Sequence, residues 1–385
     1  MADSPIKRST LLWRIREKMR SKFFGAVRHI ASIDDTRDIL ADVMASQNAT
    51  YSARHTPDLE DFESPYAQAA SDAVVARGAP RGRGDPIFIT ARFRTGSTLL
   101  WNLFRNVPGV TAYYEPFNER RWFDEAARGA RVDSTHLGVK DYWAEYRNLG
   151  ELGRYYREDW IRRQLCMPRS ASNPDMERYI ELMIERAPGR PVLQFNRVDL
   201  RLPWLRAQFP QAKILHLYRN PRDQWASSLP KLGEDMRKLQ IGSFQPLDGF
   251  YLLDWGRDLR RSFPFLTLDP GAHPYELFYQ VWKLSYAFGR THAHVSLGYE
   301  NLVNNPQVVV RQLVDEFSLT GADPAALAAL VVDGKQGKWQ KLADDAWFRG
   351  IERRVDDQFR RYFAPEARTG NIDLATLRDE RLRAV

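Results

Sequence analysis

The sequence predicts a three-layer α/β fold, in which helices flank a central parallel β-sheet. Short β-prone runs alternate along the chain with segments whose apolar residues recur at helical spacing. Of the 385 residues, 43% are hydrophobic and 12% are aromatic, which suffices for one large buried core. We therefore expect one large domain with extensions at its ends.

Four β-prone runs are each followed by a polar turn and a helix-prone segment, which is the pattern of a parallel sheet. Two long stretches, residues 121–188 and 230–290, are aromatic-rich and helix-prone, and we interpret them as helical insertions around an active site. The predicted strands are residues 87–90, 192–195, 213–218 and 294–297, and the helices after them are residues 99–106, 202–209, 223–229 and 306–317.

The formal net charge of +8 comes mostly from the start of the chain, because residues 1–31 carry eight Lys and Arg against two acidic residues. Apolar residues recur at helical spacing among them, so residues 1–45 are predicted to be a basic amphipathic helical extension. Two interpretations remain open for it: peripheral contact with an anionic membrane, or docking on protein. Residues 46–85 are predicted to be a linker, residues 86–345 the main domain, and residues 346–385 a C-terminal helical segment.

Charge and cysteine usage narrow the class of protein. Beyond residue 31 the chain is nearly neutral and carries no nucleic-acid-binding motif, which argues against a nucleic-acid partner. The single cysteine, Cys166, cannot form an intramolecular disulfide, and no apolar run of the sequence is long enough to span a membrane. We expect a cytoplasmic protein, either soluble or peripheral on the inner face of the membrane.

A small-residue turn lies where the first predicted strand passes into its helix, in the segment FITARFRTGSTLLWNLF. Thr95, Gly96, Ser97 and Thr98 allow backbone N–H groups to converge on an anion, and the helix N-terminus adds a favourable partial charge. This P-loop-like arrangement lacks the Walker lysine, and its cation, Arg94, precedes the glycine. The turn is therefore either a phosphate-binding loop that disfavours ATP and GTP, or an ordinary helix cap.

A second polar turn follows the third predicted strand, in the segment ILHLYRNPRDQWASSL. Arg219 ends the strand, and Ser227 lies two turns into the helix that follows the Asn220–Pro221 turn. The two side chains could converge on one phosphate, the arginine through charge-assisted hydrogen bonds and the serine through its hydroxyl. Taken alone, such a turn also fits a solvated loop, but alongside the first turn it indicates an anion site.

Together these turns resemble the signature motifs of sulfotransferases that use 3'-phosphoadenosine 5'-phosphosulfate (PAPS), and the carbohydrate branch more closely than the cytosolic branch. The resemblance covers roughly residues 86–320. Arg94–Thr98 matches the family's 5'-phosphosulfate loop, and Arg219–Ser227 matches its 3'-phosphate motif, with Asn220 in place of aspartate. Tyr299 matches a tyrosine that lies near the adenine. The resemblance implies sulfuryl transfer from PAPS to a hydroxyl acceptor without a metal, and we expect the acceptor to be a glycan or glycolipid.

The same resemblance implies the catalytic groups. In the carbohydrate branch, a glutamate before proline, twenty-one positions after the loop cation, takes the acceptor's proton, and Glu115 matches it. Arg94 would stabilise the charge that develops on the leaving group. The cytosolic branch uses a histidine, but the corresponding place holds Asn196 and Arg197, which cannot accept a proton at neutral pH. Should Glu115 not be the base, His136 is the next candidate.

Some positions depart from the family pattern. Leu99 stands where cytosolic members stack a tryptophan on adenine, so Trp101 is a candidate replacement if it faces the site. Lys335 and Lys338 lie in a segment similar to the cytosolic loop that closes on the 3'-phosphate, although we favour a lysine-rich surface turn. Aromatic residues of the first insertion are either a platform for a sugar acceptor or part of the core: Tyr142, Trp143, Tyr146, Tyr155, Tyr156 and Trp160.

Two other functions compete with sulfuryl transfer. A phosphotransferase with the same loop is disfavoured, because the sequence lacks both the Walker lysine and a carboxylate cluster suited to Mg²⁺. A non-enzymatic basic adaptor built on the N-terminal helix is disfavoured by the near-neutral remainder of the chain. We therefore expect a metal-independent enzyme.

Overall fold

The computed structural model describes residues 63–66, 75–76, 84–134, 136, 138–229, 236–332, 334 and 336–363. The predicted extension over residues 1–45 lies outside them, as do most of the predicted linker and residues 364–385. Both predicted anion-binding turns fall within the described residues.

A single six-stranded sheet forms the centre of the described residues. Its strands are β1 (Val75–Ala76), β2 (Ile87–Ala91), β3 (Val110–Tyr114), β4 (Arg190–Phe195), β5 (Lys213–Tyr218) and β6 (Val295–Gly298). They lie in the order β1-β6-β5-β2-β4-β3. Strands β2 to β6 pair in parallel, whereas the edge strand β1 is antiparallel to β6.

Helices surround this sheet and fill the segments between its strands. The α-helices are α1 (Ser97–Arg105), α2 (Glu125–Arg128), α3 (Pro174–Arg186), α4 (Leu202–Gln208), α5 (Pro221–Ser228), α6 (Ile241–Phe244), α7 (Leu252–Leu259), α8 (Pro274–His292), α9 (Tyr299–Asn304), α10 (Pro306–Glu316), α11 (Pro324–Ala328) and α12 (Asp345–Phe363). Short 3-10 helices cover Ala144–Tyr146, Gly150–Arg154, Glu158–Ile161, Asp199–Arg201, Met236–Lys238, Gln245–Leu247 and Lys338–Lys341. None of the helices in the described ranges is long and apolar enough to cross a membrane.

The predicted three-layer α/β class is confirmed, and all four predicted strands are present within a residue or two of their expected ends. The sequence interpretation missed Val110–Tyr114, a buried β-prone run that forms the outer parallel strand. It also overestimated the helix content of residues 121–173, which hold α2 and 3-10 turns. Short-range backbone hydrogen bonds form the turns of that segment, and aromatic side chains such as Tyr146 and Trp160 are buried in the core.

Two hydrophobic clusters hold the layers together. The first surrounds the sheet and the helices beside it, and the whole of β2 is buried, with every residue except Thr90 belonging to this cluster. The second forms around α8, whose middle is fully enclosed. The buried Lys283 of α8 forms an ion pair with Asp356 of α12 at 2.5 Å, so the C-terminal helix packs on α8 with its charge compensated.

The order of the strands creates a crevice beside β2. From β2 the chain passes through α1 to the outer strand β3, whereas β4 connects through α4 to β5 on the other side of β2. A parallel α/β sheet binds ligands where its connections diverge in this way, at the carboxyl ends of the strands. The loops after β2 and β5 therefore face the same crevice.

Candidate active site

The loop after β2 has a backbone shaped to enclose an anion. Arg94 has a φ of 66° and Gly96 a φ of 97°, so the chain reverses before α1 begins at Ser97. The Thr95 hydroxyl donates to the Arg92 carbonyl at 2.7 Å and fixes the turn. N–H groups in the first turn of a helix have no intrahelical acceptor, and here they face the crevice.

A Cβ atom at Gly96 would lie 2.4 Å from Cε2 of Tyr299, which is far inside van der Waals contact. The Tyr299 ring therefore covers the loop because residue 96 has no side chain. The guanidinium of Arg219, from the second turn, lies over the same ring, 4.6 Å from its centroid. Tyr299 thus connects the two predicted anion-binding turns.

Direct hydrogen bonds also join these turns. Arg219 donates from Nη1 to the Arg94 carbonyl at 3.0 Å, and Arg94 donates from Nε to the Ser227 carbonyl at 3.0 Å. The Asn220 side chain caps α5 by accepting hydrogen bonds from the backbone N–H groups of residues 222 and 223. This cap fixes the turn between Arg219 and Ser227. Within the described residues, the buried Ser227 hydroxyl has no hydrogen-bond partner.

One cavity of about 1110 Å³ is lined by residues of both turns and by Tyr299. Its volume exceeds that of an ordinary ligand pocket, so it has room for two reactants. The sequence-predicted residues that line it are Arg94, Gly96, Ser97, Thr98, Glu115, His136, Tyr142, Arg219, Ser227, Tyr299 and Lys338. Thr95, in the same loop, is buried and does not line the cavity.

Glu115 follows the last residue of β3 and has a φ of 40°. Only 6% of the residue is exposed, and burial raises the pKa of Glu115, while Arg197 and a hydrogen bond from Asn118 act in the opposite direction. Asn118 Nδ2 donates to Oε2 at 2.5 Å, and Asn196 Nδ2 donates to Oε1. Arg197 lies 3.9 Å from Oε2. A buried carboxylate with these neighbours can accept a proton from a bound hydroxyl.

Arg197 connects Glu115 with the opposite wall of the cavity. It pairs with Glu119 at 2.7 Å, and Glu119 also accepts from the Tyr251 hydroxyl at 3.0 Å. The Arg197 guanidinium lies 4.9 Å from the centroid of the Phe93 ring. Arg197 therefore places a positive charge near the Glu115 carboxylate without donating a hydrogen bond to it.

His136 also reaches the cavity, beside the loop after β2. Its Nε2 lies 3.4 Å from Oγ1 of Thr98, and its Nδ1 lies 2.6 Å from the Tyr142 hydroxyl. The Thr98 hydroxyl is in turn 2.9 Å from that of Tyr114. Burial lowers the pKa of His136, and the nearby Arg94 adds to this effect. His136 is therefore neutral at pH 7 and stays a second candidate for proton transfer.

Trp101 does not take the place of the tryptophan that stacks on adenine in the cytosolic branch. It is fully buried, it donates to the Ala112 carbonyl at 2.8 Å, and its ring packs 4.8 Å from that of Tyr114. The candidate assignment is wrong because the apolar face of α1 carries Trp101 into the core. Leu99 lines the cavity instead, together with the half-exposed Val332.

The segment before α12 contacts the second turn. The buried carboxylate of Asp223 accepts from the backbone N–H groups of Gly337 and Lys338 at 2.9 and 2.7 Å. Arg222 strengthens this attachment, because it pairs with Glu352 of α12 at 2.6 Å and lies 4.8 Å from the centroid of the Trp339 ring. Lys338 lines the cavity and is also exposed, so the expected surface turn stays compatible with the structure, whereas Lys335 lies outside the described residues.

Most of the predicted aromatic residues belong to the core. Tyr146, Tyr156 and Trp160 are buried, and Trp143 and Tyr155 pack against the first cluster, which leaves Tyr142 at the cavity. Sequence reasoning missed the other aromatic and amide residues of the site. Position was a signal for two of them, because Phe93 precedes Arg94 and Asn118 lies three residues after Glu115, whereas no local signal marks Trp122, Phe250 and Tyr251.

The described residues contain no group of three or more His, Cys, Asp or Glu side chains that could hold a metal ion. The α/β fold brings two hydrogen-bonded turns and a buried carboxylate to one cavity, which is an arrangement typical of a group-transfer enzyme. The sulfotransferase family model matches residues 86–323, which is more than half of the chain. The chain belongs to the sulfotransferase family.

Several solved sulfotransferases are similar to this chain. A mouse sulfotransferase complexed with PAP is 14% identical over 78% of this chain and 90% of its own, with a TM-score of 0.35. A sulfotransferase from Alicyclobacillus acidocaldarius is 17% identical over 72% and 96%, with a TM-score of 0.34. One from Mycobacterium avium is 12% identical over 74% and 78%, with a TM-score of 0.37. No curated protein sequence matches the chain.

Proposed function

We propose that this protein transfers a sulfuryl group from PAPS to the hydroxyl of a carbohydrate or glycolipid, with Glu115 as general base. The observation that carries the proposal is the convergence of Arg94, Arg219 and Glu115 on one cavity. Two linked cationic turns suit a donor with two separate anionic groups, and a buried carboxylate suits the removal of a hydroxyl proton.

The donor-binding residues fit PAPS on the basis of their own contacts. Arg219, Ser227 and Lys338 would bind the 3'-phosphate, because two cations and an unsatisfied buried hydroxyl line the same part of the cavity. The loop from Arg94 to Thr98 would bind the 5'-phosphosulfate through its backbone N–H groups. When bound, PAPS supplies an activated sulfuryl group on its phosphosulfate.

The two catalytic residues have different tasks. Glu115 accepts the proton that the acceptor hydroxyl loses. Arg94 stays protonated, so it stabilises negative charge and donates hydrogen bonds without releasing a proton. Its Nε is held by the Ser227 carbonyl at 3.0 Å, which leaves its terminal nitrogens to face the cavity.

The acceptor side of the cavity supports a ring-shaped substrate. Four aromatic side chains line it: Phe250 and Tyr251 are half-buried, whereas Trp122 and Tyr142 are almost fully buried. Aromatic faces bind the apolar face of a sugar ring, while nearby charged side chains bind its hydroxyls. We further propose a cytoplasmic location, with peripheral membrane contact through residues 1–45.

Titration with PAP, the product nucleotide, tests donor use, since a ligand that binds the native state raises its thermal stability. We expect the melting temperature to rise with PAP concentration and to rise less with AMP, which lacks the 3'-phosphate. Transfer is then measured by incubating the protein with ³⁵S-labelled PAPS and with separate glycan and lipid extracts. Label in a glycan or glycolipid product supports the acceptor class, whereas label in phenols or peptides alone would contradict it.

A further inference from the structure

The buried position of Glu115 creates a difficulty for a general base. A base must be ionised before it reacts, but burial removes the water that solvates a carboxylate and favours its neutral form. The carboxylate must therefore receive compensating hydrogen bonds. Two side-chain amides supply them, Asn118 Nδ2 to Oε2 at 2.5 Å and Asn196 Nδ2 to Oε1. The charge of Arg197, 3.9 Å from Oε2, acts in the same direction, and that of Glu119 opposes it.

The surrounding hydrogen bonds determine which end of each amide faces the carboxylate. Asn196 Oδ1 accepts from Nε2 of Gln194 at 2.6 Å, and Asn118 Oδ1 accepts from the backbone N–H of Arg120 at 2.9 Å. Because each amide oxygen already accepts a hydrogen bond, each NH₂ group is directed at Glu115. Neither amide can rotate without losing two hydrogen bonds.

The sheet and a turn hold these groups in place. Tyr114 of β3 lies opposite Gln194 of β4, so Glu115 and Asn196 leave adjacent strands at the same edge. Asn118 is fixed by its backbone N–H, which donates to the Glu115 carbonyl at 2.9 Å. All three side chains are less than a tenth exposed.

We propose that Asn118 and Asn196 form an amide clamp, two positioning residues that keep Glu115 ionised and aimed at the acceptor hydroxyl. The inference rests on the proposed role of Glu115 and explains how a buried carboxylate performs it. Hydrogen bonds to the charged form lower the pKa of a carboxyl. An ionised carboxylate has about four lone-pair positions, so the clamp leaves others free to accept the hydroxyl proton.

The test uses Asn118→Asp and Asn196→Asp, which keep the side-chain shape but replace a donor with a like charge. The protein is labelled with ¹³C at the glutamate carboxyl carbons, and its NMR signals are followed against pH. The Glu115 signal is identified by its loss in Glu115→Gln. We expect its titration midpoint to rise by roughly one pH unit or more in each variant. Asn305→Asp, an exposed amide on a helix end, is the matched control and should leave the midpoint unchanged.

Binding and turnover provide the second readout. PAP affinity should stay within about twofold of wild type, since neither amide lies in the donor turns. Turnover of labelled PAPS with the extract that yields product should fall in proportion to the lost ionised fraction of Glu115, most strongly below the raised midpoint, and recover at higher pH. Should an aspartate variant fail to fold, Asn118→Ser and Asn196→Ser remove most of each donor contact and should raise the midpoint by less.

The outcomes separate the clamp from the proposed function. A Glu115 midpoint that is unmoved in both variants overturns the clamp, even where the wild type binds PAP and transfers sulfate. Absence of PAP binding or of sulfuryl transfer in the wild type instead overturns the proposed function. Full turnover in Glu115→Gln would overturn the base assignment and the clamp together.

Discussion

Arg219 donates from Nη1 to the backbone carbonyl of Arg94 at 3.0 Å, between the loops that follow the paired strands β5 and β2. This hydrogen bond joins the two anion-binding turns, and Arg94 returns a bond to the carbonyl of Ser227 on α5. The two turns are therefore held together by their own hydrogen bonds. If both bind the donor, we expect substitutions in one turn to affect binding at the other.

Removal of the charged contact at the second turn should weaken donor binding. We expect Arg219→Ala to reduce PAP binding by roughly 1.5–3 kcal/mol, and Ser227→Ala to reduce it by less, because a neutral hydroxyl makes the weaker hydrogen bond. Calorimetric titration with PAP measures both. Arg311→Ala removes an exposed arginine outside the cavity and should not change affinity. Wild-type affinity in Arg219→Ala would refute this donor site.

Substitutions of Glu115 and Arg94 should have different effects on turnover and on PAP affinity. Glu115→Gln keeps the shape of the side chain but cannot take a proton, so turnover should fall by about 10²- to 10⁴-fold while PAP affinity stays near wild type. Arg94→Ala should lower turnover and PAP affinity together, because its charge acts before and during transfer. Single-turnover assays with labelled PAPS measure both. Near-normal turnover in Glu115→Gln would contradict its role as the base and make His136 the next candidate.

Gly96→Ala should disturb the loop after β2 in two ways. Its φ of 97° costs about 1 kcal/mol for an L-residue, and its Cβ would overlap the Tyr299 ring, which adds roughly 1–3 kcal/mol. Gly109→Ala is the matched control, because Gly109 has a φ of 72° but no atom within 4 Å of the added Cβ. Urea unfolding and PAP titration should show the larger loss in Gly96→Ala. Equal effects of the two substitutions would mean that the overlap is relieved at no cost.

The fold should lose stability in acid because of His216, a buried residue of β5. Burial lowers the pKa of His216 to about 3, against 6.5 for an exposed histidine. Between these pH values the unfolded chain binds more protons than the folded chain. The stability of the fold is therefore unaffected by this residue above pH 6.5 and decreases as the pH falls toward 3. By pH 5 the loss from this residue is about 2 kcal/mol. Urea unfolding at pH 7 and pH 5 measures it, and NMR should show that the native His216 ring does not titrate between those values.

Residues 1–45 carry the basic and apolar pattern of a surface-binding helix. We expect the full chain to sediment with anionic vesicles at low salt, and we expect deletion of residues 1–45 to reduce this without changing PAP affinity. Neutral phosphatidylcholine vesicles are the control. A full-length protein that never sediments with anionic vesicles would assign the helix to contact with protein.

The sequence alone determined the fold class and the positions of the two turns that we propose as the donor site. Arg94 to Thr98 and Arg219 to Ser227 each lie within one strand, turn and helix, where spacing and turn chemistry act over a few residues. The amphipathic period of α1 was also readable, and it should have placed Trp101 in the core. These features are local, so no tertiary information was needed to recognise them.

Tertiary structure alone decided how distant segments meet. Glu115 and Asn196 are 81 positions apart and come together because β3 pairs with β4, yet β3 was not recognised in the sequence. Lys338 reaches the cavity through Asp223, 115 positions away. The order of strands in a sheet and the docking of a loop depend on the packing of the whole core, which short-range propensity does not encode. The donor turns could therefore be predicted from the sequence, whereas the environment of the base depends on the folded sheet.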